Sequence, residues 1–223
     1  MILKVYTYIM FQFLCDEEIK AIFEIFKKEN PNPKTELRAP NPYTLLVSVV
    51  LSAQMTDKGV NKATEPLYKI VDTPEKMLAL GEEKLVEYIK TIGLYRAKAK
   101  YVMGLSKILV EKHQSQVPQT REELEALPGV GRKTASVILN AVYGKPTMPV
   151  DTHLLRISPR MGFSCQKTPL GVEQDLLAKI PEEYLLNAHH WLVLHGRYVC
   201  VARNPHCATC SVAHICKKNT EEN

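Results

Sequence analysis

Apolar residues in this chain recur every three or four positions, stretch after stretch, and they never alternate in twos for long. A half-buried strand needs a period of two and an amphipathic helix a period near 3.6, so the pattern excludes a sheet as the organising element. Ile19, Ile22, Phe23, Ile25 and Phe26 set the helical spacing before Pro31 and Pro33 stop it. Met103, Leu105, Ile108 and Leu109 repeat it within 97–112, and Ala135, Val137, Ile138, Leu139 and Val142 repeat it up to Gly144 and Pro146. The run 45–53 is almost wholly apolar and by composition alone could be a buried strand. Asn41-Pro42 ahead of it has the form of an N-cap with proline at the first helical position, which favours a buried helix.

Further helices are expected over 58–70, 82–91, 170–180 and 182–194. Thr73-Pro74-Glu75 opens one more, with Lys76 standing where a capping box needs glutamate or glutamine. Thr120-Arg121-Glu122-Glu123 supplies a complete box. Pro159 limits how far the helix after Asp151 can run. The fold class is all-α, and Pro146 to Pro149 forms a rigid linker at a natural domain boundary.

Between two of these helices lies Leu127-Pro128-Gly129-Val130-Gly131-Arg132-Lys133. Two glycines bracket the turn, and Lys133 falls in the first turn of the helix that follows. Backbone N–H groups at a glycine-rich helix start can hold a phosphate. Lysine and arginine outnumber aspartate and glutamate by 29 to 24. That excess permits a polyanionic partner without requiring one. Ile92-Gly93-Leu94-Tyr95-Arg96 echoes the hairpin, with Ala97 where Lys133 stands. A true repeat and two unrelated joints both fit that echo.

A lysine amine free in water is protonated in all but about one molecule in 2,500 at pH 7. A nucleophilic lysine needs a pKa of about 7–8, a shift on the order of 4 kcal/mol. A helix N-terminus contributes at most about 2 kcal/mol of that, so desolvation must supply the rest. The motif alone therefore leaves two readings for Lys133, a nucleophile or a phosphate contact. Asp151 is placed to stay ionised at a helix start. It could accept a proton or stabilise a cationic sugar, or serve only as an N-cap.

The residues 1–14 are apolar and aromatic but lack the uniform core and small-residue cleavage site of a signal peptide, and they are too short to span a bilayer. They read as an extension packing onto the body of a cytoplasmic protein with no membrane partner. Cys15 and Cys165 stand alone, while Cys200, Cys207, Cys210 and Cys216 crowd together. A disulfide scaffold would spread its cysteines through a small secreted chain, so this cluster reads as metal ligation. Four sulfurs suit tetrahedral zinc or a [4Fe–4S] cluster. The irregular spacing lacks the paired knuckles of a zinc ribbon, which favours the cluster in a structural role.

The hairpin, Val150-Asp151-Thr152-His153 and the cysteine spacing together resemble the endonuclease III family of base-excision repair enzymes. Leu51-Ser52-Ala53-Gln54-Met55-Thr56-Asp57, Thr91 to Tyr95, and His190 to Arg197 carry the same likeness, which covers about 30–216. The resemblance implies two helical lobes, 35–145 with the helix-hairpin-helix, and 1–34 joined to 146–223 with the cluster loop, and a DNA-facing cleft between them. It implies a bifunctional glycosylase and abasic-site lyase, acting as a monomer on oxidised pyrimidines in damaged double-stranded DNA.

On that likeness Lys133 falls on the nucleophile, Asp151 on the catalytic aspartate and the four cysteines on the ligands of a [4Fe–4S] cluster. Gln54 and Leu94 fall on positions that insert into the base stack, where the residues alone suggest a helix cap and a core leucine. Asp57 falls on a pocket residue, and Gly129 and Gly131 on phosphate contacts. Two departures stand out. The loop 201–206 carries only Arg203 as a firm charge, and Pro159 falls in a helical segment. The alternatives are an adenine-mismatch-type monofunctional glycosylase, which lacks the lysine and carries a further C-terminal domain, a non-catalytic DNA-binding hairpin, and a zinc-stabilised structural protein.

Overall fold

The computed structural model describes residues 13–218, so the extension expected at 1–12 lies outside the described residues. Among them are eleven α-helices, one 3-10 turn and no strand. The chain divides into two compact units, Thr35–Lys145 and the two end segments Met1–Lys34 with Pro146–Asn223.

The continuous unit holds α2 (Pro42–Leu51), α3 (Asp57–Tyr68), α4 (Pro74–Leu80), α5 (Glu82–Ile89), α6 (Tyr95–Lys112), α7 (Arg121–Glu125) and α8 (Arg132–Tyr143). Asn41 caps α2 by accepting from the Thr44 N–H, at 2.9 Å, with Pro42 at the first helical position. Such a cap contributes about 1 kcal/mol. The run 46–51 is buried throughout, which is why it shows no polar stripe: this helix is wrapped by others on every side. Its buried hydroxyl groups are paired. Tyr68 and Ser48 lie 2.6 Å apart, as do Tyr43 and Ser106 across to α6. Burial raises both tyrosines well above the ordinary phenol range.

The second unit joins α1 (Asp16–Glu29) to α9 (Thr152–Met161), α10 (Pro169–Lys179) and α11 (Glu182–Tyr198). The apolar face of α1 places Phe23 against Tyr184, 5.7 Å between ring centres, and beside Phe163 and Trp191. Two long-range bonds fix its ends: the Leu14 N–H donates to Gly162 O at 3.0 Å, and the Trp191 indole donates to Asn30 O at 2.8 Å.

Three expectations need correction. First, α9 runs through Pro159 and stops at Gly162, whose φ of 94° ends the helix in a left-handed turn. Proline removes one backbone bond, to Leu155, but Pro159 is exposed, and the Gly162 and Phe163 N–H groups both close on Ser158 O. Pro66 is tolerated in α3 in the same exposed manner. Second, the box at Thr120 is half formed. Thr120 accepts from the Glu123 N–H, but its hydroxyl takes the Glu123 carboxylate at 2.6 Å in place of a return bond to the backbone. Third, α11 continues past Leu194 to Tyr198, carrying a buried His195 and Gly196 with it. Among the described residues no helix is long and apolar enough to cross a membrane.

Candidate active site

In the continuous unit the glycine hairpin joins α7 to α8. Leu127 and Val130 are buried and anchor the turn, which closes on a bond from the Val130 N–H to Leu127 O at 3.1 Å. Gly129 has φ +76°, and a Cβ there would meet the Tyr101 side chain at 2.9 Å, so both conformation and space demand glycine. Gly131 is extended, and a Cβ on it would meet nothing within 4 Å. The Arg121 guanidinium braces the joint, donating to Ser136 Oγ at 2.9 Å and to Arg132 O at 3.4 Å. Lys133 follows as the second residue of α8 and is exposed, on the helix's positive end.

Gln54 and Leu94 lie on two other turns of the same unit, and neither matches its bland expectation. Both are left-handed at φ +59°, a conformation rare for residues with a side chain. Leu94 is 66% exposed, so it is no core residue. The echo of the hairpin is also only partial. In register with Gly129 stands Gly93, but the left-handed residue comes one place later, at Leu94, where the hairpin has the buried Val130. The two turns are joined by the Gly93 N–H, which donates to Met55 Sδ at 3.4 Å. Asp57 opens α3 half-buried, one residue after the Thr56 cap.

In the second unit Asp151 caps α9. Its Oδ1 accepts from the His153 N–H at 2.8 Å and the Leu154 N–H at 3.0 Å, so the carboxylate is oriented through one oxygen and Oδ2 lies outside the cap. Two arginines on α9 then reach the cysteine segment. Arg156 donates to Gly196 O at 2.6 Å and Cys200 O at 3.3 Å; Arg160 donates to Val201 O at 2.9 Å and Ala202 O at 3.0 Å.

Cys200, Cys207, Cys210 and Cys216 all line one cavity, closed by apolar Met161, Val199, Pro205 and Val212. Among the described residues no three histidine, cysteine or carboxylate side chains close on a single ion. Burial pushes the Cys210 thiol up, and the sulfurs of Cys216, Cys200 and Cys207 add to that by repulsion. Four cysteine sulfurs lining one cavity carry negative charge together only around positive charge, so the donor set fits an iron–sulfur cluster.

Sequence reasoning missed Lys98, Arg156 and Arg160. Lys98 had a signal: it stands one turn before Val102 on the stripe that continues through Leu105 and Leu109. The two arginines, at ordinary helix-surface positions, had none.

Residues 47–182 match the model of the HhH-GPD superfamily base excision DNA repair protein, which sets the class. Residues 200–216 match the iron–sulfur binding domain of endonuclease III. Endonuclease III of Treponema pallidum is 53% identical over 90% of this chain and 95% of its own length. That of Escherichia coli K12 is 50% identical over 86% and 90%. A solved endonuclease III–DNA covalent intermediate, trapped as an estranged-adenine complex, superposes with a TM-score of 0.86 at 40% identity, covering 94% of this chain and 99% of that one.

The chain belongs to the endonuclease III family of base excision DNA repair proteins. It is a DNA-binding glycosylase with abasic-site lyase activity and carries a [4Fe–4S] cluster. The zinc-protein and binding-module alternatives fall with that finding.

Proposed function

We propose that Lys133 is the nucleophile, Asp151 its acidic partner, and oxidised pyrimidines in damaged double-stranded DNA the substrate. The observation that carries this reading is the exposed amine of Lys133, two residues beyond a glycine with open space around it. Gly129 and Gly131 offer N–H groups to the backbone phosphate, and the DNA that covers Lys133 takes its amine out of water. The trapped DNA adduct of a relative 40% identical supports covalent chemistry.

In the reaction the neutral amine bonds to C1′, and the C1′–N1 bond breaks, the base leaving with the electron pair and taking up a proton. Asp151 stabilises the positive charge on the sugar and accepts the proton released from the amine nitrogen. The C1′–O4′ bond opens, O4′ taking up the proton held by Asp151, to give a protonated Schiff base. Loss of a C2′ proton then expels the 3′ phosphate by β-elimination, and water frees the lysine. Gln54 and Leu94 refill the stack left by the extruded nucleotide, and Asp57 lines the pocket that receives it. Cys200, Cys207, Cys210 and Cys216 hold the cluster. Bound there, it stabilises the loop, and no step of the reaction passes through it. The protein acts as a monomer in the cytoplasm.

Borohydride reduction on a duplex with an abasic site tests the nucleophile. A covalent adduct is expected for the wild type and none for Lys133→Ala; an undiminished adduct in the variant sinks the assignment. Asp151→Asn is expected to keep DNA binding while base release falls by about 100-fold or more.

A further inference from the structure

Lys98 is a lysine that the chemistry does not use and that the protein has nonetheless buried, at 4% exposure. Burial holds its ammonium below the ordinary lysine range. Its Nζ donates to Leu51 O at 2.9 Å and to Ala53 O at 2.6 Å. Leu51 is the last residue of α2, so its carbonyl belongs to the negative end of that helix. Ala53 immediately precedes the left-handed Gln54. The Lys98 N–H makes the first bond of α6, to Leu94 O at 3.0 Å, so Lys98 stands one turn into the helix that Leu94 opens. The Lys98 side chain therefore ties the turn before Gln54 to the helix that starts at the Leu94 turn. The Gly93 N–H to Met55 Sδ bond is a third link across the same pair.

We propose that Lys98 is a positioning residue for base extrusion, locking the Gln54 and Leu94 turns into one wedge that is formed before DNA arrives. The inference rests on the wedge roles proposed above. The physical reason is pre-organisation. A turn ordered only on contact with DNA would pay its conformational entropy out of the binding energy available for unstacking the lesion. Two left-handed residues with side chains are also the first positions to relax once their supports are cut. A cation serves better than a neutral donor because it satisfies two carbonyls that no N–H of the turn reaches, and charge-assisted bonds are the stronger kind.

The test compares a substrate that needs the wedge with one that does not. Single-turnover base release is measured on a duplex carrying an oxidised pyrimidine, and borohydride trapping on a single strand carrying an abasic site, where there is no stack to refill. Lys98→Met is expected to slow duplex release by about 10- to 100-fold while trapping on the single strand stays within about twofold. Combined with Gln54→Ala it is expected to add little further loss, because both changes disable one device. Lys98→Arg, which keeps a charged donor, restores part of the duplex rate.

Equal losses on both substrates overturn the proposal and leave Lys98 a residue of the fold. Fully multiplicative losses in the double variant overturn it too. If Lys98→Met does not fold, Met55→Leu is read instead: a volume-conserving change that cuts the third link and is expected to slow duplex release alone, by about threefold. No change on either substrate overturns the coupling. A wild type that forms no adduct on any abasic DNA fails the lyase reading itself, a result distinct from all of these, and removes the inference with it.

Discussion

The two units carry their functional residues in opposite ways. In Thr35–Lys145 they stand on short turns whose flanking residues are sunk in an apolar core: Leu127 and Val130 beside Gly129, Leu51 before Gln54, Ile92 before Leu94. The core fixes the flanks of these turns, and the exposed tips take unfavourable conformations that bonds such as those of Lys98 hold in place. In the other unit the cysteine segment has one 3-10 turn, Cys207–Thr209, and few buried side chains of its own. It is held by two arginines on α9, by the backbone bond from the Cys200 N–H to His195 O, and by the cluster it encloses. Apolar packing is lost gradually as atoms are trimmed; a metal-held loop is lost at once.

The largest effect should come from breaking the metal-held side of that contrast. Cys210→Ser is expected to abolish the visible absorption of the cluster and to destabilise its unit by more than about 4 kcal/mol, read by calorimetry. A variant that keeps both would show that packing alone orders the loop. Next is Arg156→Met, which strands the Gly196 and Cys200 carbonyls. It should cost about 3 kcal/mol in urea unfolding, and a loss under about 0.5 kcal/mol would remove arginine from the list of supports.

In the apolar unit Gly129→Ala should cost about 2 kcal/mol, since it adds left-handed strain and a contact with Tyr101. Gly131→Ala, with open space around it, should change stability by less than about 0.5 kcal/mol. Equal effects at the two glycines would deny that one is packed and the other presented. The one change of opposite sign is the most diagnostic. Leu94→Gly relieves a left-handed side chain, so stability should rise by about 0.5–1 kcal/mol while base release from duplex falls. A loss of stability would make Leu94 a packing residue after all.

Much of this was legible in the chain. Asn41-Pro42, Thr73-Pro74 and Asp151-Thr152 announce helix starts because capping is local chemistry, settled within four residues. The cysteine spacing and Lys133 beyond its glycines were equally visible. The stripe marks Lys98 as buried, but its carbonyl partners were not legible, because they lie 45 and 47 residues earlier and only folding brings them within reach. Nor were the left-handed Gln54 and Leu94, whose conformations oppose local preference and persist through distant bonds. Pro159 misled for a related reason. A proline forbids one hydrogen bond, and whether the helix survives depends on what its next turn can bond instead.

The bonds from Trp191 to Asn30 and from Leu14 to Gly162 have a consequence for the order in which the protein is made. They close a unit out of two segments that the 35–145 stretch separates in sequence. On the ribosome α1 emerges first, with Ile19, Ile22, Phe23 and Phe26 uncovered, and its partners on α11 are not synthesised until over 150 residues later. At about 5–20 residues per second that is a wait on the order of ten seconds or more. The middle unit, whose elements are contiguous, can close during that interval. The half that carries the cluster must therefore close after the middle unit has been made, and iron–sulfur loading waits on both of its segments.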